Sequence, residues 1–228
     1  MKDVPGSEFG VQSFGVRAVQ GVAVLLLLFS VSVAPARTIT LTDRDVDRLA
    51  SINEQHPRAS WAGMEYAPGT FSDGNLGISP TQGVLLRYPI DQIPANQRII
   101  NAELAVPTYS GTDWYRMFAW RLVADWGPGV CHLYRRTRPD KVAWAQPGAR
   151  GPGVDRATEP TRIVRPKVGG WVETTMDVTR DIQLWYTGAA QNYGWLLTAE
   201  DEGHGMFLYS IDGGYGSVWR LRITYEPL

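Results

Sequence analysis

Cysteine is almost absent from this chain of 228 residues, which contains only Cys131. A single cysteine cannot form a disulfide within the chain, so a disulfide-stapled small scaffold and a zinc site built from cysteines are both excluded. The chain also lacks an excess of positive charge, because 22 Lys and Arg face 23 Asp and Glu and leave a net charge of −1. Proteins that bind nucleic acid neutralise phosphates with surplus Lys and Arg, so we expect no nucleic-acid partner.

Catalytic motifs are missing as well. None of the three histidines, His56, His132 and His204, has the spacing of a metal site such as HExxH, and the sequence contains neither a GxSxG nucleophile elbow nor a phosphate-binding loop. Cys131 and His132 are adjacent, and neighbours in a strand point to opposite faces, so they do not predict a thiolate–imidazolium pair. We therefore expect that the chain is not an enzyme and that it carries no cofactor.

Acidic residues leave one alternative open. Asp43, Asp45 and Asp47 occupy alternate positions, and three consecutive acids fill positions 200–202. Solvated carboxylates explain both patterns most simply. Carboxylate oxygens also suit Ca²⁺, so a structural calcium ion is the alternative, although no EF-hand spacing is present.

The sequence contains only one long hydrophobic run, VAVLLLLFSVSV at positions 22–33. Arg17 precedes it and the small residues Ala34-Pro35-Ala36 follow, which is the pattern of a secretory signal peptide. The run is shorter than the roughly 20 apolar residues that a spanning helix needs. The sequence therefore predicts a signal peptide over 1–36, cleavage near Ala36, and one secreted or periplasmic domain over 37–228 without a membrane span.

Most of the remaining sequence has the two-residue alternation of β-strands. Four sets of alternating apolar residues are predicted to face a core: Val84, Leu86, Tyr88 and Ile90; Ile100, Ala102, Leu104 and Val106; Val172, Thr174, Met176 and Val178; and Leu221, Ile223 and Tyr225. Segment 114–123 has bulky residues in both of its alternating sets, which predicts either coverage on both faces or an exposed aromatic face. Only one helix is expected, with a cap at Asp177 or Thr179, an apolar stripe of Val178, Ile182 and Trp185, and a stop at Gly188. This pattern predicts an all-β antiparallel sandwich, jelly-roll-like, with one short helix.

Five segments in order resemble one known family. LLRYPIDQIPANQRIINAELAV at 85–106, RLVADW at 121–126 and GWVETTMDVTRDIQLWYTGAAQNYGWLLTAE at 170–200 resemble the signature segments of the DNRLRE domain, and FLYSID and RLRITYEP resemble its closing strands. That domain is similar to the disaggregatase-related repeats and to carbohydrate-binding module family 96. The resemblance covers about residues 70–227 and implies an extracellular jelly-roll sandwich that binds a polysaccharide or a cell-surface glycan without catalysis.

Nine tryptophans exceed what one small core needs. A sugar ring stacks its C–H face on an aromatic ring that stays exposed on one side. Trp171, Trp185, Trp195 and Trp219 fall in strand or helix patterns and are predicted to be core. The candidate ligand-binding residues are aromatics beside turns and the arginines beside them: Trp114, Tyr115, Tyr134, Arg135, Arg136, Trp144 and Tyr215. The arginines favour an acidic, uronate-type glycan, because guanidinium groups pair with carboxylates.

The long loop over 127–167, rich in Arg, Pro and Gly, carries most of these candidates, and a loop of this length is usually functional. Two other functions stay open. The chain could be a structural or adhesion domain of the cell envelope or extracellular matrix, with no soluble ligand. It could instead be a polysaccharide lyase or hydrolase, in which Tyr134 or His132 acts as a base beside Arg135.

Overall fold

A computed structural model describes residues 35–60, 75–110, 116–166, 172–199, 206–209 and 219–228. Every described residue belongs to one compact unit, Ala34–Leu228. The signal peptide predicted over 1–36 therefore lies almost wholly outside the described residues. None of the helices in the described ranges has the length and apolar character that crossing a membrane requires.

Two antiparallel sheets form the body of the protein. The first contains β1 (Arg37–Thr42), β3 (Asn75–Ile78), β5 (Gln97–Ser110), β10 (Val172–Asp177), β12 (Met206–Tyr209) and β13 (Arg220–Pro227). Its strand order is β1-β13-β5-β12-β3, and β10 pairs with β5 outside this path. The second contains β2 (Arg48–Asn53), β4 (Gln82–Arg87), β6 (Met117–Arg121), β9 (Arg162–Val164) and β11 (Trp195–Ala199), in the order β2-β4-β11-β6-β9. A small hairpin of β7 (Tyr134–Arg136) and β8 (Val142–Ala143) stands apart from both.

Apolar residues from both sheets meet in one core, which confirms the predicted all-β sandwich. In the strands that contribute to this core, inward-facing residues alternate with residues that face away from it, because successive side chains of a strand point to opposite sides. The predicted inward positions that the structure confirms as buried are Val84, Leu86, Tyr88, Ala102, Leu104, Val106, Thr174, Met176, Val178, Leu221, Ile223 and Tyr225. Trp185, Trp195 and Trp219 are also buried, as predicted, whereas Trp171 lies outside the described residues.

Ile100 is an exception to the predicted pattern. It was expected inside, but it is 43% exposed, and its neighbour Ile99 is buried at 4%. The cause is an irregularity in the pairing with β13, where Thr224 lies opposite Asn101 and Tyr225 lies opposite Ile99. One residue of β5 is thus left without a partner, and a bulge of this kind reverses the inside–outside alternation on one side of it.

The single α-helix among the described residues is α1, Thr179–Tyr186. Asp177 accepts hydrogen bonds from the backbone N–H of Thr179 at 2.9 Å and from its hydroxyl at 2.6 Å. The N-cap itself is Val178, which makes no side-chain cap hydrogen bond, so the predicted cap at Asp177 or Thr179 is wrong by one residue. Ile182 and Trp185 are buried. Gly188 follows the helix with φ of 75°, a conformation that favours glycine at a helix end.

The outer face of the second sheet is covered by a second, smaller core. Residues of β2, β4, β6 and β11 contribute outward side chains to it, and the loop that follows β6 contributes Trp126, Val130, Trp144 and Ala149. In β6, Met117 and Ala119 face the central core while Phe118 and Trp120 face the second one. Coverage on both faces, one of the two predictions for this strand, is therefore confirmed.

Candidate functional site

The loop after β6 is held on the sheet by a buried indole. Trp144 is only 4% exposed, packs in the second core, and donates a hydrogen bond from Nε1 to the carbonyl of Cys131 at 2.9 Å. The prediction that Trp144 offers a wetted ring to a ligand is therefore wrong. A long loop needs a hydrophobic anchor of its own, and the ring of Trp144 is that anchor.

A buried carboxylate fixes the other end of the loop. Asp155 is 2% exposed. It accepts hydrogen bonds from the backbone N–H groups of Ala145 at 2.9 Å, Gln146 at 2.8 Å and Gly151 at 3.0 Å. Three N–H donors on one carboxylate stabilise a turn that contains no regular secondary structure, because buried backbone donors must be paired. The loop is thus a defined structure that can carry a site.

The β7–β8 hairpin projects from this anchored loop. Tyr134 pairs with Ala143, and Arg136 pairs with Val142. The hairpin is tied to the segment before it by hydrogen bonds from the backbone N–H of Gly127 to the Arg135 carbonyl at 2.9 Å and from that of Cys131 to the Tyr134 carbonyl at 2.8 Å. Tyr134, Arg135 and Arg136 are all half-buried. Their backbone is therefore fixed while part of each side chain reaches the surface.

Two guanidinium groups contact the carboxylate of Asp125 beside this hairpin, and a third contacts the backbone carbonyl of the same residue. Nη1 of Arg48 lies 2.8 Å from Oδ1 of Asp125, and Nη1 of Arg136 lies 3.7 Å from Oδ2. Nη1 of Arg135 donates to the backbone carbonyl of Asp125 at 3.4 Å. We call Arg48, Asp125, Arg135, Arg136 and Lys141 the basic cluster. Because one acid serves several cations, most of the positive charge is not compensated within the cluster.

Two aromatic rings beside the basic cluster, those of Tyr134 and Trp126, are in contact with its cations. Nζ of Lys141 lies 4.2 Å from the centroid of the Tyr134 ring, and the guanidinium carbon of Arg48 lies 5.9 Å from that of the buried Trp126. These contacts orient the charged groups by cation–π attraction. One face of Tyr134 is thereby covered by Lys141. The site presents charge to solvent rather than an open stacking platform.

The predicted site residues divide into three groups. Tyr134, Arg135 and Arg136 come together in the hairpin, and Trp144 is buried below it. The other three predicted residues lie outside the described residues: Trp114, Tyr115 and Tyr215. Sequence reasoning missed Arg48 and Asp125, which are 77 positions apart in the chain. Of the two, only Asp125 could have been noticed, because it lies in the RLVADW segment. No sequence pattern pointed to Arg48.

The acids at positions 200–202, considered for calcium, lie outside the described residues, and several of the other candidates for catalysis or calcium are buried or paired. His132 is buried, and burial lowers the pKa of its imidazole below the usual value. Asp45 accepts the backbone N–H of Thr42 at 2.7 Å, and Asp47 forms an ion pair with Arg87. Across the described ranges, no three or more His, Cys, Asp or Glu side chains are grouped so that they could hold a metal ion.

A second charged region lies between α1 and the segment before β9. It is a cleft of about 470 Å³ whose wall includes Asp181. Oδ2 of this carboxylate accepts hydrogen bonds from the hydroxyl of Thr161 at 2.6 Å and from Nε1 of Trp195 at 2.7 Å, and Oδ1 lies 3.3 Å from Nε of Arg121. Burial raises the pKa of Asp181, and these partners oppose the rise. Its bonds tie the helix to β6 and β11, so we assign Asp181 a structural role.

Comparison with known proteins adds no relative. No protein-family model matches the chain, and no curated protein is significantly similar to it. The resemblance of the five segments to the DNRLRE domain therefore stays a prediction, and the basic cluster is interpreted from its own chemistry.

Proposed function

We propose that this chain is a non-catalytic module that binds an acidic polysaccharide through the basic cluster. The observation that carries the proposal is that Arg48 and Arg136 share the single carboxylate of Asp125, while Arg135 contacts only the backbone carbonyl of that residue. With Lys141 the cluster holds four cations and one anion, 4 − 1 = +3. The turn of the hairpin adds no net charge, because the positive charge of Arg138 and the negative charge of Asp140 cancel.

Guanidinium groups favour a carboxylate or sulfate ligand. Each group presents planar N–H donors that match the two oxygens of such an anion, and charge-assisted hydrogen bonds are about twice as strong as neutral ones. The side chains of Arg48 and Arg136 are 28% and 30% exposed, so an incoming anion meets cations that are already partly desolvated.

A polymer suits this surface better than a small anion. The described part of the cluster is spread along a hairpin and the start of β2 rather than enclosed in a pocket. A chain of uronate or sulfated units repeats its charge at regular intervals and engages several of the cations at once, which raises the affinity without any single strong contact. The clamped loop holds the cations in place before binding, so little ordering entropy is lost.

Affinity for polygalacturonate and for dextran, measured by affinity electrophoresis or calorimetry, tests the proposal. We expect the wild-type chain to bind the acidic polymer and not the neutral one, with affinity that decreases as salt is added. The double substitution Arg135→Gln/Arg136→Gln should weaken binding roughly 10- to 100-fold, because each lost charged hydrogen bond is worth about 1.5–3 kcal/mol at most and solvent screens part of it.

The matched control is Arg220→Gln/Arg222→Gln on the outer face of the first sheet. It removes the same two charges from ion pairs with Glu173 and Glu103, so it separates a local site from a general effect of net charge. Equal weakening by both double variants would contradict the assignment of the site. Absence of binding to any acidic polymer, combined with self-association of the chain, would instead support the structural or adhesion role.

A further inference from the structure

One edge of the first sheet is a strand that the described residues leave open. β1 pairs with β13 from Arg37 to Thr42, and within the described ranges no strand pairs with its other side. Thr38 and Thr40 are exposed, and Arg37 is the single charged side chain among its six residues. An open edge presents backbone N–H and C=O groups that can pair with another strand, and proline or charged side chains usually prevent this. The middle of β1 has neither.

Another part of the same sheet shows how the fold protects an open backbone. At the start of β5, side chains of α1 bond to the strand in place of a neighbouring strand. The N–H of Ala102 donates to the hydroxyl of Thr179 at 2.8 Å. Nε2 of Gln183 donates to the carbonyl of Ile99 at 3.0 Å. Within the described ranges, no side chain covers the middle of β1 in this way.

Two contacts show which backbone groups face the open edge. The backbone N–H of Thr42 donates to Oδ2 of Asp45 at 2.7 Å, so it points away from β13. The hydroxyls of Thr38 and Thr224 are 2.9 Å apart, which fits a register pair whose Cα atoms are close because no backbone hydrogen bond joins them. Because backbone groups alternate in direction along a strand, the N–H and C=O of Thr38 and Thr40 point to the open edge.

We propose that β1 pairs antiparallel with β1 of a second copy of this chain, with Thr40 at the centre. The N–H of Thr40 then donates to the carbonyl of Thr40 in the other copy, and the N–H of Thr38 donates to the carbonyl of Thr42. Because the arrangement has two-fold symmetry, every contact occurs twice. The surface belongs to the first sheet, so the proposal does not rest on the function proposed for the basic cluster.

Charge complementarity favours this occupant and this register. With Thr40 at the centre, Arg37 of each copy lies opposite Asp43 of the other, and neither side chain has an ion pair among the described residues. In one chain these two residues lie at opposite ends of β1, about 20 Å apart at about 3.3 Å per residue, so they can pair only between copies. Shifting the centre by one residue places Arg37 opposite either Leu41, which is apolar, or Asp45, which is already bonded to the backbone of β1.

Sedimentation equilibrium of the protein between about 1 µM and about 1 mM tests the proposal, because a strand-to-strand interface is small and binds weakly. We expect a reversible monomer–dimer equilibrium in that range. Arg37→Glu and Asp43→Arg each place like charges at both contacts and should weaken the dimer roughly tenfold. An equimolar mixture of the two variants should form a heterodimer about as tightly as the wild type dimerises, because each substitution then faces the opposite charge.

A backbone substitution gives an independent test. Proline is tolerated in an edge strand where the missing N–H would face solvent, so Thr40→Pro should remove the bond to the second copy and leave the pairing with β13 intact. We expect this variant to be monomeric with an unchanged circular dichroism spectrum. The matched control Thr40→Val keeps the N–H and should still dimerise. If Thr40→Pro does not fold, the charge variants decide the question.

Three results would overturn the proposal. They are a wild-type chain that stays monomeric up to about 1 mM, a dimer that neither single charge variant weakens, and a mixture of those variants that does not restore the dimer. Polygalacturonate binding by Thr40→Pro is measured in parallel. It reports on the basic cluster alone, so the two proposals can fail separately.

Discussion

Substitution of Asp155 by Ala is expected to release the loop that carries the basic cluster. The carboxylate accepts three backbone N–H groups, and the change removes all three acceptors at once. Gly151 is buried, so its N–H is left without water or protein as a partner. Ala145 and Gln146 are exposed residues, so water can replace part of what their N–H groups lose.

The size of the effect follows from these three donors. An orphaned buried donor costs about 1–3 kcal/mol, and each hydrogen bond exchanged for water costs about 0.5–1.5 kcal/mol. The free energy of unfolding should therefore decrease by about 2–6 kcal/mol, with a value near 4 kcal/mol as the centre. Part of the loss can show as local opening of the loop, because regions of a protein differ in stability.

Urea denaturation gives the global value, and hydrogen exchange at the amides of Ala145, Gln146 and Gly151 gives the local one. Asp140→Ala is the matched control, because Asp140 is an exposed carboxylate of the same loop. It should change the unfolding free energy by less than about 0.5 kcal/mol. If Asp155→Ala were as stable as the control and the three amides stayed protected, the assigned role of the carboxylate would be refuted.

Three other substitutions test separate parts of the structure. Asp181→Ala leaves the indole N–H of Trp195 buried without its acceptor and should lower the free energy of unfolding in urea by about 3–5 kcal/mol. Gly194→Ala places a Cβ 2.1 Å from the Leu86 carbonyl at a φ of +79°, so calorimetry should show a clearly lower melting temperature, and an unchanged one would contradict the described backbone. Burial lowers the pKa of His132 below 6.5, so the unfolded state binds more protons and stability should decrease as pH falls below 6.5. Urea titrations at pH 7.5 and 5.5 should show a smaller decrease for His132→Gln than for the wild type.

Most of the sandwich was predictable because buried and exposed residues alternate along a strand with a period of two. Val84, Leu86 and Tyr88 share one face of β4, and any sheet with one buried face imposes that alternation. The helix was also predictable, since Asp177 and Gly188 mark its two ends by local chemistry. Ile100 was misplaced because a bulge depends on the pairing with β13, and a single strand does not show where its partner slips.

The candidate site was only half predictable. Tyr134, Arg135 and Arg136 are neighbours in the chain, so their common position in a loop could be seen. Their grouping with Arg48 and Asp125 depends on how β2 and the loop pack together, which no local pattern encodes. Trp144 was predicted to bind a ligand because it is an aromatic residue beside turn residues, where a ring can stay exposed on one side. The second core that covers the sheet reverses that expectation.

The pairing of β1 with β13 has a consequence for how the protein acquires its fold. Arg37 lies opposite Tyr225, and β13 in turn runs along β5 from Arg220 to Pro227. One edge of the first sheet therefore forms through contacts between segments that are nearly two hundred positions apart, which raises the contact order and favours slow folding. During synthesis β1 has no partner in this sheet until β13 has left the ribosome, and the edge of β5 that β13 covers stays open until then, which exposes unpaired strand edges to aggregation.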